Sequence, residues 1–94
     1  MNIACLTIVF RLHGCHSLKD KRQRLAGLRD RFGKQTQVAV CESADADSLN
    51  RAQWSFIAAA GSKSVIQKIF SDIETFVTTS LDAEVVDIRK QWLS

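Results

Sequence analysis

Three side chains able to ligate a soft metal or act as nucleophiles, His13, Cys15 and His16, stand within four residues of one another. Zinc needs four nitrogen or sulfur donors in a tetrahedron. Even with Cys41 folded nearby, no Cys-x-x-Cys and no second histidine pair completes that set. A thiolate at Cys15 would gain from a neighbouring imidazolium, but residues adjacent in sequence rarely align as nucleophile and base, and no acid is placed to orient His16. Glu42, Asp45 and Asp47 read as solvated carboxylates of a polar hairpin in preference to a divalent-cation or acid–base site. The chain has no phosphate-cradling glycine loop, no dinucleotide turn and no serine elbow. These residues predict a protein with no catalytic site, no cofactor, no metal and no small-molecule substrate.

A basic run offers different chemistry. Between Lys19 and Lys34 seven lysines and arginines meet only Asp20 and Asp30, while the remainder of a chain with formal net charge +3 is acidic by two charges. At 100° per residue Leu18, Leu25, Leu28 and Phe32 centre one helical face. Arg22 and Arg29 border it on one side and Arg24 and Arg31 on the other, with Lys19 and Lys34 pointing outward. Lys21 falls near the apolar centre, where its stem can lie along the core edge and its ammonium reach water. Polyanion binding needs several cations spaced along a backbone, because each neutralised phosphate releases counterions. Lys19, Lys21, Arg22, Arg24, Arg29 and Arg31 are therefore the candidate nucleic-acid contacts, Lys19, Lys21 and Arg22 being helped by free N–H groups at the helix start. The competing reading is a solvated charged face that aids solubility.

Those side chains need a scaffold. Asn2 to Leu12 alternates with period two and is apolar on both sides, as in a central strand. Ser17 can cap a helix that Gly33 ends, and Gly27 within it implies close packing on the sheet. Thr36 to Glu42 forms a second strand, Ser43 to Asn50 an exposed hairpin connection, and Gln53 to Ala60 a third strand. Across this hairpin Glu42 and Arg51 could form a salt bridge. Ser64 with Gln67 reads as the capping box of a second helix, in which Val65, Ile66, Ile69, Phe70, Ile73, Phe76 and Val77 recur at helical spacing. Glu84 to Arg89 is the last strand. The order βαββαβ predicts one α+β domain over residues 1–94, a ferredoxin-like four-stranded antiparallel sheet with both helices on one face.

The other sheet face then meets water or a partner. With Leu6, Ile8, Phe10, Trp54, Phe56, Val86 and Ile88 turned to the helices, the open face carries Ile3, Cys5, Thr7, Val9, Ala39, Cys41, Ser55, Ile57 and Val85. This semi-apolar surface predicts a homodimer or a protein-interaction module. Trp54 and Phe56 belong to the core, so stacking of bases on sheet aromatics is not expected.

The segment Ser17 to Arg22 (SLKDKR), placed after a strand and opening a basic helix, resembles the signature of the YlxP-like family, also called domain of unknown function 503. Val38 to Glu42 (VAVCE) resembles that family's second strand, and Asp47, Leu49, Asn50, Arg51 and Ala52 its hairpin motif. The similarity covers nearly the whole chain. The sequence departs from the family at His13-Gly14, at Leu49 and at Ala58-Ala59-Ala60. Members resemble ferredoxin-like dimers, and their bacterial genes lie among those for translation and ribosome maturation, so the resemblance implies association with RNA or the ribosome. Three cysteines at wide spacing predict free thiols in a reducing compartment, hence a cytoplasmic protein. The apolar run Ile3 to Phe10 lacks the flanks of a secretory leader and is far short of the ~20 residues that span a bilayer, so no membrane partner is expected.

Overall fold

Alternation from Asn2 onward does build the central strand. In the computed structural model, which describes residues 1–94, β1 (Asn2–Arg11), α1 (Leu18–Phe32), β2 (Val38–Ala44), β3 (Arg51–Ala60), α2 (Lys63–Thr79) and β4 (Glu84–Trp92) follow one another. The sheet order is β2-β3-β1-β4, and every neighbouring pair is antiparallel. Each helix thus bridges two parallel strands that have a third between them, which is the α+β ferredoxin-like arrangement. The last strand runs three residues beyond the expected Arg89.

Residues at period two on β1 (Ala4, Leu6, Ile8, Phe10) and β3 (Ala52, Trp54, Phe56, Ala58, Ala60) share one core with Leu25, Leu28 and Phe32 of α1 and Ile66, Phe70, Ile73 and Val77 of α2. Each large apolar side chain in this layer contributes on the order of 1.5–3 kcal/mol by leaving water. Four details differ from expectation. The first residue of α2 is Lys63, so Ser62 is the cap; no side chain bonds the first-turn amides, and Ser64 shares only a hydroxyl contact of 3.1 Å with Ser62. Gly27 admits Phe76 of α2, not the sheet: a Cβ there would stand 2.9 Å from the ring.

The other two differences concern strand faces. A bulge between Val9 and Phe10 pairs Phe10 with Val85 while Ile8 pairs with Ile88. Ile88 packs on the core as expected, but Val85 joins it there and Val86 is 41% exposed, the reverse of the faces expected for these two valines, because one extra residue reverses the alternation. The open face is also more polar than predicted. A chain of contacts runs from Cys5 Sγ to Thr7 Oγ1 (3.7 Å), on to Ser55 Oγ (3.2 Å), to Ser43 Oγ (2.8 Å) and to Gln53 Nε2 (3.1 Å). Ile57 and Val86 are its exposed large apolar members.

Candidate nucleic-acid interface

The helix start sets the phase of every cation on α1. Ser17 is extended (φ −154°), and its hydroxyl accepts the Asp20 N–H at 3.0 Å, satisfying one free amide of the first turn. From that start Lys21 turns toward Leu25 and Leu28 and is only 2% exposed. Its Nζ donates to the carbonyls of Asp45 (2.7 Å), Ser48 (2.8 Å) and Ala46 (3.4 Å), and lies 3.2 Å from Glu42 Oε2. An ammonium has three hydrogens and the loop supplies three acceptors. Lys21 is thus a plug for the β2–β3 connection. The expectation that its head reaches water is corrected: the connection folds over it, and Lys21 is the donor to the Ala46 and Ser48 carbonyls while that of Asp45 also accepts the Ser48 N–H at 3.1 Å.

Arg24 is used in a similar way. It donates to the carbonyls of His13 (2.8 Å) and Asp82 (3.0 Å), and its Nε is 3.1 Å from Asp82 Oδ2. Two of the six sequence-derived contacts, Lys21 and Arg24, therefore have their donors occupied by their own chain. The other four, Lys19, Arg22, Arg29 and Arg31, are exposed, and no carboxylate lies within ion-pair distance of them. Arg29 lies over the Trp54 ring at 5.3 Å, and Arg31 over Phe76 at 5.1 Å and Phe32 at 5.8 Å. Stacking on a ring holds a guanidinium while leaving its N–H edge outward. Lys19, Arg22 and Arg29 fall within roughly 80° of helical arc over about 15 Å of axis.

Beside this stripe a cavity of about 220 Å³ opens between α1, the end of β2 and the β2–β3 connection, walled by Leu18, Leu25 and Trp54 and rimmed by Arg22, Glu42 and Asp47. Regular alternation through Val38, Val40 and Glu42 sets Glu42 opposite Trp54 and toward the helices, and a second bulge, at Ser43, follows before Ala44 pairs with Gln53. Trp54 is 5% exposed, yet its Nε1 has no acceptor; Glu42 Oε2 stands near the Lys21 ammonium without a hydrogen bond. An unmade bond at a buried group costs about 1–3 kcal/mol. Sequence reasoning passed over this pair. Glu42 was expected to meet Arg51, which instead binds Asp45 Oδ2 at 3.2 Å, with Asp45 held at φ 62°. The available signal was the period-two alternation that puts Glu42 on the face of Val38 and Val40.

The histidine–cysteine cluster disperses. His13 Nε2 lies 3.0 Å from Glu84 Oε1, and Cys15 donates to the Ser17 carbonyl at 3.4 Å. No three His, Cys, Asp or Glu side chains converge, and all three cysteines are free. No helix is long and apolar enough to cross a membrane.

Residues 3–90 match the family described as Protein of unknown function (DUF503). The chain belongs to that family. The match takes in the capping serine, the whole basic helix and both bulges, and the family's description assigns no activity to any of them. No curated protein matches the chain. Among solved structures it is similar to the Bacillus subtilis YXEP protein, a dinuclear metal binding peptidase from the M20 family, at 11% identity and a TM-score of 0.49 over 97% of this chain. It spans only 25% of that peptidase. It is also similar to At3g17210 from Arabidopsis thaliana, at 8% identity and a TM-score of 0.48, covering 98% of this chain and 93% of that one.

Proposed function

We propose that this family member is a cytoplasmic binding protein, not an enzyme, and that the outward stripe of α1 contacts the phosphate backbone of RNA, free or within the ribosome. One observation carries the reading: Lys19, Arg22 and Arg29 share a side of the helix, and none is neutralised by a carboxylate of the chain. Three such contacts to a single strand give a salt slope of about −2, so a fourfold rise in salt weakens binding roughly 20-fold, with little regard to sequence. Fluorescence anisotropy with labelled single-stranded RNA between 50 and 200 mM salt is the test (concentrations chosen to span about that fourfold range). Steep salt release that disappears when Lys19, Arg22 and Arg29 are all changed to alanine supports the reading; no association of wild type at the low-salt end removes it.

A second reading, pairing of two copies, draws on apolar side chains left exposed along the edge strand β4, Val86 at 41% and Trp92 at 43%. Edge strands keep unpaired backbone groups that a second copy can meet. A single monomeric species in sedimentation at high protein concentration would eliminate it.

A further inference from the structure

The geometry points to β4 as a pairing edge for a second copy of this chain, in an antiparallel register centred on Ile88. This deepens the pairing reading above and is independent of the RNA contacts. Backbone direction supplies the first argument. Ile3 exchanges backbone hydrogen bonds with Ser94, and along an antiparallel ladder successive residues turn their N–H and C=O to opposite sides. Asp87, Arg89 and Gln91, which stand opposite Val9, Thr7 and Cys5, therefore direct theirs to β1. Those of Ile88 and Lys90 point away from the sheet, of which β4 is an outermost strand. A row of unpaired backbone groups is a template for another strand.

Charge names the occupant and fixes the register. Asp87 and Arg89 lie two residues apart on the open face, with Arg89 Nε 2.9 Å from Asp87 Oδ2. An antiparallel pair centred on Ile88 sets Asp87 of each copy opposite Arg89 of the other, closing a ring of four alternating charges. Moving the centre to Asp87 or to Arg89 brings two carboxylates or two guanidinium groups face to face, and like charges directly opposite destabilise a sheet. The other edge strand, β2, has no such code: its one charged residue, Glu42, faces the helices beside Lys21. Ile88, half-buried against the core, then meets Ile88 of the second copy. A twofold axis through that contact keeps both helix layers on one side of a single continuous sheet and closes the assembly at two chains. The bulge at Val86 ends the regular ladder, which keeps the contact short and readily reversible.

Sedimentation velocity on the full chain, up to about 1 mM protein, reads the equilibrium. Wild type is expected to pair. Asp87→Arg or Arg89→Asp alone is expected to raise the dissociation constant about tenfold or more, because each sets like charges opposite one another twice. Mixing the two single variants is expected to recover pairing to within about threefold of wild type, since each supplies the charge the other lacks. The double variant Asp87→Arg/Arg89→Asp, which keeps the composition, is expected to pair as wild type does. A mixture that gains nothing over its components, or a double variant that stays monomeric, overturns the register. Single variants that pair as tightly as wild type sink β4 and leave the pairing reading standing. A monomeric wild type removes both.

Discussion

Lys21 and Arg22 are neighbours in sequence and carry the same charge, yet one is sealed beneath a loop and the other faces solvent with no partner. A step of 100° along the helix makes that difference. Toward the sheet a cation meets backbone carbonyls of the β2–β3 connection, two of which, Ala46 and Ser48, have no other donor, and becomes part of the fold. On the outer face it meets water or the face of an aromatic ring, and no carboxylate, and remains available. The basic run between Lys19 and Lys34 is therefore two sets of cations: Lys21 and Arg24 hold loops, and Lys19, Arg22, Arg29 and Arg31 hold no carboxylate.

The division predicts opposite responses in stability and in binding. Lys21→Met leaves three loop carbonyls and Glu42 without their cation, so a loss of about 3–5 kcal/mol is expected in urea unfolding; a loss below about 1 kcal/mol would place Lys21 with the outward set. Arg24→Ala removes hydrogen bonds to the carbonyls of His13 and Asp82 and should cost about 1–3 kcal/mol, with thermal unfolding as the check. Ser17→Ala deletes the cap that sets the phase of both groups and should cost about 1 kcal/mol. Changing Lys19 to alanine is expected to shift stability by no more than about 0.5 kcal/mol while reducing the magnitude of the RNA salt slope by about 0.7. A stability loss at Lys19 as large as at Lys21, or an unchanged salt slope, would erase the distinction.

Much of this was legible in advance, and particular residues show why. Period two in Ala4, Leu6, Ile8 and Phe10, helical spacing in Ile66, Phe70, Ile73 and Val77, and Ser17 before a basic helix are local patterns. Each element could be read from its own residues. Element order then limited the topology to an antiparallel sheet with helices on one face. The misreadings cluster where distant segments meet. The exchange of Val85 and Val86 came from a bulge, the partner of Gly27 is on the other helix, and the open face lost apolar character to a hydroxyl chain spanning β1, β3 and β2.

The amino-acid order by itself determined which residues are strand and helix, where α1 begins, and how many positive charges it bears, since these depend on neighbours a few positions away. Tertiary structure alone decided which of those charges are free. Whether a lysine ends in water or among carbonyls depends on a loop some 25 residues later, and the bulge at Ser43 that ends the regular register after Glu42 exists only when β2 pairs with β3. Hydrogen-bond satisfaction is settled between segments, and no local pattern carries it.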